Sequence, residues 1–352
     1  MINKSMKFFI FFSLILVFLI KTGNVLSYEG IFNVNNIEID KKYGKNNKDY
    51  LNSAFIKGFD NLIKRILLEK DYEKTKNTPL KIIKSLISHY QVVHIDEDSL
   101  QSKKKLNLFF DKEKLNDFFY NKDISYSNIE KKILVLFPLL IKKNNFYVYN
   151  DNYFFNNWSK YNKKNELIEY IIPIENLENI QKIKKNINNL EDIKILDLIK
   201  DYESDNYSFF VVNESDNKVN ILLKCLISKK LITRNFTIIK NDINDDEIYK
   251  KVIFEVKKQI LEIIKSQNII DLKVPSFLNI TLDLKTANDL LNLQSILEKI
   301  DIIEKFIVME LNKNEVKIKI KYYGKIDSIS QKFKKNGIRI FNNNNQWKLS
   351  II

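Results

Sequence analysis

The side chains that most readily do chemistry are few in this sequence, and they lie far apart. The two histidines, His89 and His94, stand five residues apart, the single cysteine is Cys225, and the densest carboxylate run is the acidic turn Asp96-Glu97-Asp98-Ser99. A metal centre needs His, Cys and carboxylate ligands that converge, and no further His or neighbouring Cys completes a set with the histidine pair. The acidic turn reads as a solvated hairpin tip, because a calcium loop needs alternating oxygen ligands and a glycine that are missing here. Cys225 sits in the apolar run Ile221–Ile227 with no His nearby in sequence, which fits a buried structural thiol rather than a nucleophile. No nucleophile elbow, P-loop or dinucleotide fingerprint occurs. Asp111 and Asp283 read as a helix cap and a strand end. No catalytic, cofactor-binding or metal residue is therefore assigned, no cofactor is implied, and a non-enzymatic protein is expected. A site assembled in space from distant residues would leave no such motif.

The compartment is written more plainly. Phe8–Ile20 is a thirteen-residue run without charge, preceded by Lys4 and Lys7 and followed by Val25-Leu26-Ser27. A charged start, a short apolar core and a small residue at the exit define a secretory signal peptide. As a helix the run reaches only about 20 Å, short of the roughly 30 Å hydrocarbon core. Cleavage near Ser27 is expected, with a periplasmic product; the alternative is an inner-membrane anchor, which Lys21 directly after the run keeps open. No Cys lies near residue 27, so a lipid-modified N-terminus is not expected.

Removal of residues 1–27 lowers the formal charge from +14 to +11. A basic chain invites nucleic acid or an anionic membrane as partner. However, only Arg65, Arg234 and Arg339 are arginine among 58 cations, and the planar Arg fork is what bidentate phosphate or guanine recognition uses. The abundance of Lys, Asn and Ile instead has the look of an AT-rich coding bias. No specific nucleic acid is expected, and at most weak peripheral contact with a membrane. One cysteine can form no intramolecular disulfide.

The elements fall into three modules. Residues 28–125 read β-α-α-β-β-α: an extended stretch 31–39, a helix over Lys48–Leu68 with Leu51, Phe55, Phe59, Leu62 and Ile66 on one face, a second helix after Thr78-Pro79, strands Tyr90–Ile95 and Lys105–Phe110, and a short helix capped by Asp111. Residues 131–270 read as a mixed-sheet α/β domain. There Ile133–Ile141 is apolar throughout, as a strand covered on both faces would be. A second strand spans Leu167–Pro173, helical stretches follow at Leu177–Leu190 and Ile193–Asp201, and three consecutive strands lead to the helix Asp246–Ser266. Residues 274–352 read β-α-β-β-α-β, a ferredoxin-like split unit, with Val316, Ile318 and Ile320 alternating against Lys317, Lys319 and Lys321. Trp347–Ile351 is expected to fold back beside its last strand. The fold class is thus α/β and α+β.

Four stretches, NSAFIKGFDNLIKRIL, KLNLFFDKEKLNDFF, ILVLFPLLI and the closing segment from NITLDL to KKNGIRI, give the mature chain a likeness to a known group. It resembles a family of uncharacterised exported proteins of Gram-negative bacteria, a domain of unknown function. Family members often carry a Trp and an Arg just before the central strand, where this chain reads SYSNIEKKI with neither. The resemblance implies a periplasmic protein of unknown activity and brings no site residues. The function expected is a non-enzymatic envelope interaction or assembly module, its partner an envelope protein or another periplasmic component. The alternative is a small-ligand binder or hydrolase with its pocket between modules. The sequence sets no oligomeric state.

Overall fold

The computed structural model describes residues 30–38, 47–93, 105–162, 167–199, 201, 202, 204, 206–240, 244–284, 286–343 and 346–351. The signal-peptide run, His94 and the acidic turn 96–99 lie outside the described residues. The architecture is mixed α/β, with the strands in four sheets.

The first module comprises β1 (Asn33–Glu38), α1 (Asn47–Ile66), a 3-10 turn (Glu69–Lys74), α2 (Leu80–Leu86), β2 (Ile87–Val93), β3 (Lys105–Phe110) and α3 (Lys112–Asn121). Its sheet order is β1-β3-β2, antiparallel throughout. The expected stripe of α1 is buried at Phe55, Phe59, Leu62 and Ile66. α1 can approach the sheet because position 58 is glycine. A Cβ there would stand 2.3 Å from Leu108 Cδ1 and 2.7 Å from Ile37 Cδ1. Asp111 caps α3, its carboxylate accepting from the backbone of Glu113 at 3.0 Å and Lys114 at 3.1 Å. β2 begins at Ile87, directly after α2. β1 is an edge strand, yet it is closed to further pairing. It bulges between Val34 and Ile37, where Asn36 has φ 57°, and α1 side chains hold the carbonyls at its two ends, Arg65 at Ile31 just before the strand and Lys57 at Glu38.

The second module runs through β4 (Tyr126–Ser127), β5 (Lys132–Lys142), β6 (Asn145–Tyr147), α4 (Tyr153–Asn157), β7 (Ile168–Ile171), α5 (Leu177–Lys185), α6 (Ile195–Ile199), β8 (Asn206–Glu214), β9 (Lys218–Ile227), β10 (Lys230–Ile239) and α7 (Asp245–Gln267). β5 is central, parallel to β8 and β7 and antiparallel to β6. Its alternate residues feed two separate cores, as a strand covered on both faces must. Leu134, Leu136 and Leu140 pack with Val252, Val256 and Ile260 of α7. Val135, Phe137 and Leu139 pack with Ile183, Ile195 and Leu198. The helical stretches expected over 177–190 and 193–201 are shorter, ending at Lys185 and Ile199.

After the short strand β11 (Ile269–Ile270), the third module comprises β12 (Ser276–Asp283), α8 (Ala287–Lys299), β13 (Ile303–Leu311), β14 (Glu315–Tyr322), α9 (Ile326–Lys335), β15 (Ile338–Asn343) and β16 (Gln346–Ile351). Thr286 and Asp289 form a reciprocal capping box on α8, and Gly337 ends the turn after α9 at φ 75°. The sheet order is β13-β14-β12-β16-β15. In the simple split unit β15 would lie directly beside β12. Here β16 takes that place, parallel to β12, and β15 is displaced to the edge. The final segment does fold back beside β15, but on its inner side.

The segments between modules are themselves structured. β4 and β11 pair with each other, Ile269 opposite Ser127 and Ile270 opposite Tyr126. One continuous apolar cluster runs from Phe59 and Leu108 through Tyr126 and Ile270 to Leu278 and Ile318, joining the first and third modules.

Candidate functional site

Where the three modules meet they leave an open cleft of about 1240 Å³. One wall is the last turn of α1, with Lys64 and Arg65, beside β1 and Lys105 of β3. The opposite wall is α7, with Phe254, Lys257 and Lys258, beside Leu167, Ile168 and Tyr170 of the β7 region. Lys131 lies between, and the ends of α8 and α9 close the cleft with Lys299, Lys332 and Lys335. The lining thus gathers nine cations against three carboxylates, Glu38, Glu130 and Asp301.

The raw excess overstates the field. Asp60 and Glu69 at the rim hold Lys64 and Lys258, each at 2.7 Å. Five of the cations occupy the last turns of α1, α8 and α9. Cations there offset the negative end of the helix dipole, about half a charge per helix. Subtracting both leaves roughly two to three net positive charges in a concave, partly desolvated place, where field lines concentrate.

Part of the lining is fixed by ion pairs, and those to Glu130 tie the third module to the segment before β5. Lys332 lies 2.6 Å from Asp301 and 3.6 Å from Glu130, which Lys335 also grips. Burial alone would raise Glu130, but the hydrogen bond from Lys335 and the charges of Lys332 and Lys132 outweigh it and hold the carboxyl below its ordinary value. Lys105 pairs with Glu38 at 2.9 Å. Arg65 is half-buried; desolvation pulls its guanidinium down to about 10, and its Nε finds no partner among the described residues. Lys257 lies over the rings of Trp158 and Tyr170, 5.6 and 5.2 Å from their centroids, and donates to the Tyr161 carbonyl at 2.9 Å. Phe254, an apolar residue of α7, is 49% exposed beside Tyr161.

Behind this wall Lys265 of α7 is wholly buried. Its ammonium donates to the Lys64 carbonyl at 2.7 Å, the Tyr72 hydroxyl at 3.0 Å and Glu262 at 2.9 Å. It therefore caps the C-terminal end of α1 and ties the first module to the second. Burial lowers its pKa from the ordinary lysine value, Glu262 opposing.

No family model matches the chain, and no curated protein matches it. Partial likeness to solved structures is faint. Lipoprotein GNA1162 from Neisseria meningitidis is 15% identical, over 37% of this chain and 96% of its own, at a TM-score of 0.23. A second, described only as an uncharacterised protein, is 11% identical over 40% and 94% at 0.17. Overlaps this weak carry no argument, and the resemblance seen in the sequence gains no family model to support it.

Of the residues singled out from sequence, His89, Asp111, Cys225 and Asp283 are among the described residues, and none of them lines the cleft. His89 is exposed on β2, stacked flat on Phe109 with ring centroids 4.3 Å apart. Cys225 is buried beside the Ser208 hydroxyl at 3.4 Å, and burial pushes its thiol up to about 12. Asp283 ends β12 and faces Lys348 at 3.4 Å. Among the described residues no three His, Cys, Asp or Glu side chains group as metal ligands, and no helix is long and apolar enough to cross a membrane. The cleft cations come from positions 64 to 335. The one sequence signal for them was the habit of Lys and Arg to gather in last helical turns.

Proposed function

We propose that this is an exported, non-enzymatic binding protein of the cell envelope, and that it engages its partner through the cleft between its three modules. The observation that carries this reading is the concentration of cations from all three modules on one concave surface. It is supported by what the lining offers chemically. Ammonium and guanidinium groups, two aromatic rings and ion-paired carboxylates suit electrostatic recognition, whereas covalent catalysis needs a nucleophile with a base in reach. Size points the same way, since small-molecule pockets of about 300–1,000 Å³ are mostly apolar and nearly closed, while this cleft is larger, open and charged.

The test is paired affinity capture from an envelope extract. The baits are the mature chain, a variant with Lys258→Gln and Lys335→Gln in the cleft, and one with Lys184→Gln and Lys185→Gln at the exposed end of α5, which removes the same charge elsewhere. A partner retained by the mature chain and the α5 variant but lost from the cleft variant is the expected result. Equal loss from both variants would leave only diffuse charge and refute the reading.

A further inference from the structure

We infer that the cleft takes an extended, acidic polypeptide segment. This rests on the cleft being the binding surface and goes further by naming the occupant. Its charges, its aromatic groups and its sheet edges each bear on that choice.

Its cations are separated point charges, eight lysines and one arginine, carried on helices and strands at fixed spacings. Lys332 and Lys335 are three apart on α9, which sets such side chains about 5–6 Å from one another. Carboxylates on alternate residues of an extended chain recur every 6.5–7 Å or so, a near match. Phosphate polymers are recognised best by planar guanidinium forks, and here one arginine is present with its guanidinium half-buried and donating to the Ile31 carbonyl.

The aromatic groups are placed for a side chain and not for a stack of bases. Tyr170 and Phe254 are the aromatic lining residues, both on the α7 wall, with Lys257 at the Tyr170 ring. A single-stranded nucleic acid uses successive platforms along its path. A ledge on one wall accommodates one or two apolar side chains between acidic ones.

The cleft also meets two sheet edges of different character. β1 is interrupted by its bulge, with Arg65 and Lys57 at its two ends. β7, on the opposite wall, pairs with β5 on one side, and no described strand pairs with its other side. A partner segment that runs along the α7 wall would pass this edge, and main-chain hydrogen bonds are the usual source of affinity when a peptide adds to a sheet.

The experiment uses the mature chain, its K258Q/K335Q cleft variant and its K184Q/K185Q control. One probe is a fluorescein-labelled peptide of alternating glutamate and serine about ten residues long, spanning roughly 33 Å when extended. The other is a labelled oligothymidylate of equal charge. Fluorescence anisotropy is read at low and near-physiological salt. The peptide is expected to bind the mature chain and the control alike, about tenfold or more weakly to the cleft variant, and to weaken with salt. The salt slope of the unmutated chain gives a readout that no folding defect of a variant can mimic. If the oligonucleotide binds more tightly than the peptide and depends on Lys258 and Lys335, the acidic-peptide inference is overturned while the cleft stays the binding surface. If the peptide fails to bind at low salt, the inference is overturned. If the cleft and control variants bind it equally, both the occupant and the cleft assignment are overturned.

Discussion

Replacing Lys265 with methionine should loosen the first module from the second, and the size of the effect follows from the bonding of its ammonium. That group makes three short hydrogen bonds, and the side chain is fully buried. Methionine fills most of the volume but leaves Glu262 without its cation. That carboxylate is only 12% exposed, and its other hydrogen bond comes from the Glu69 backbone. Removing one partner of a buried pair costs about 3–5 kcal/mol. The lower end applies here, because Tyr72 still donates to the Lys64 carbonyl at 3.1 Å and the Glu69 bond persists. A loss of about 3 kcal/mol corresponds to a shift of about 1 M in the urea midpoint at a slope near 3 kcal/mol per M. Pairing K265M with Glu262→Leu removes the stranded carboxylate and should restore about half of that loss, so the coupling in a double-mutant cycle is about 1.5 kcal/mol plus whatever Glu262→Leu costs alone. The pH dependence has a definite sign. Because burial depresses the Lys265 pKa, the unfolded chain holds this proton to higher pH than the folded chain does. Stability should therefore rise with pH in the window below the ordinary value of 10.5, more steeply in the unmutated protein than in K265M. Readings between about pH 8 and 9.5 keep clear of Tyr72, whose raised pKa acts oppositely above its ordinary value of 10.0. A K265M chain within about 0.5 kcal/mol of the parent, or strictly additive single variants, would refute the argument.

Gly58→Val should cost about 2 kcal/mol, read as a lower midpoint in thermal or urea unfolding, because Leu108 and Ile37 occupy the space its side chain needs. Asp111→Ala should cost about 1 kcal/mol by removing the acceptor for two backbone amides of α3, with Asp111→Asn recovering most of it. Cys225 should stay unreactive toward a thiol reagent near pH 8 until the protein unfolds; a stoichiometric reaction in native buffer would contradict its burial and raised pKa. N-terminal sequencing of the protein from an envelope fraction should read from near residue 28, and a chain that still starts at Met1 would favour the anchored form instead.

The elements were legible where local pattern and burial agree. The uncharged run Ile133–Ile141 reads as a strand with apolar cover on both faces, and β5 is buried from Leu134 to Leu140, with Ile133 exposed at its start. The alternation at Val316, Ile318 and Ile320 fixed which face of β14 is wet. Strand order was less legible. The residues of β16 alternate Trp347, Leu349 and Ile351 with Lys348 and Ser350, a pattern that serves equally at an edge or between two strands. Nothing within six residues records that β12 is the neighbour. Phe254 shows the same limit on a helix. It sits among apolar residues of α7, and its exposure is decided by the cleft beside it, not by its own turn.

The cleft was hidden by the feature that builds it. A lysine in the last turn of a helix has a sufficient local reason to be there, so Lys64, Lys299 and Lys335 each read singly as dipole compensation. Only the packing of modules turns separate helix ends into one surface, and that packing depends on bonds such as Lys265 to the Lys64 carbonyl and Lys332 to Glu130. The same ions therefore do two things. Where a cation is buried against a carbonyl of another module, as Lys265 is, it fixes the arrangement; where it stays exposed, as Lys258 and Lys335 do, it supplies field to the space between. Neutralising the exposed members should weaken binding and leave stability nearly unchanged, since exposed pairs contribute about 0–1 kcal/mol. Removing Lys265 should do the reverse first, lowering stability and altering binding only as the α1 and α7 walls come apart. Thermal unfolding and peptide binding measured on K335Q and K265M together would separate the two roles, and equal effects of both substitutions on both readouts would show that the division does not exist.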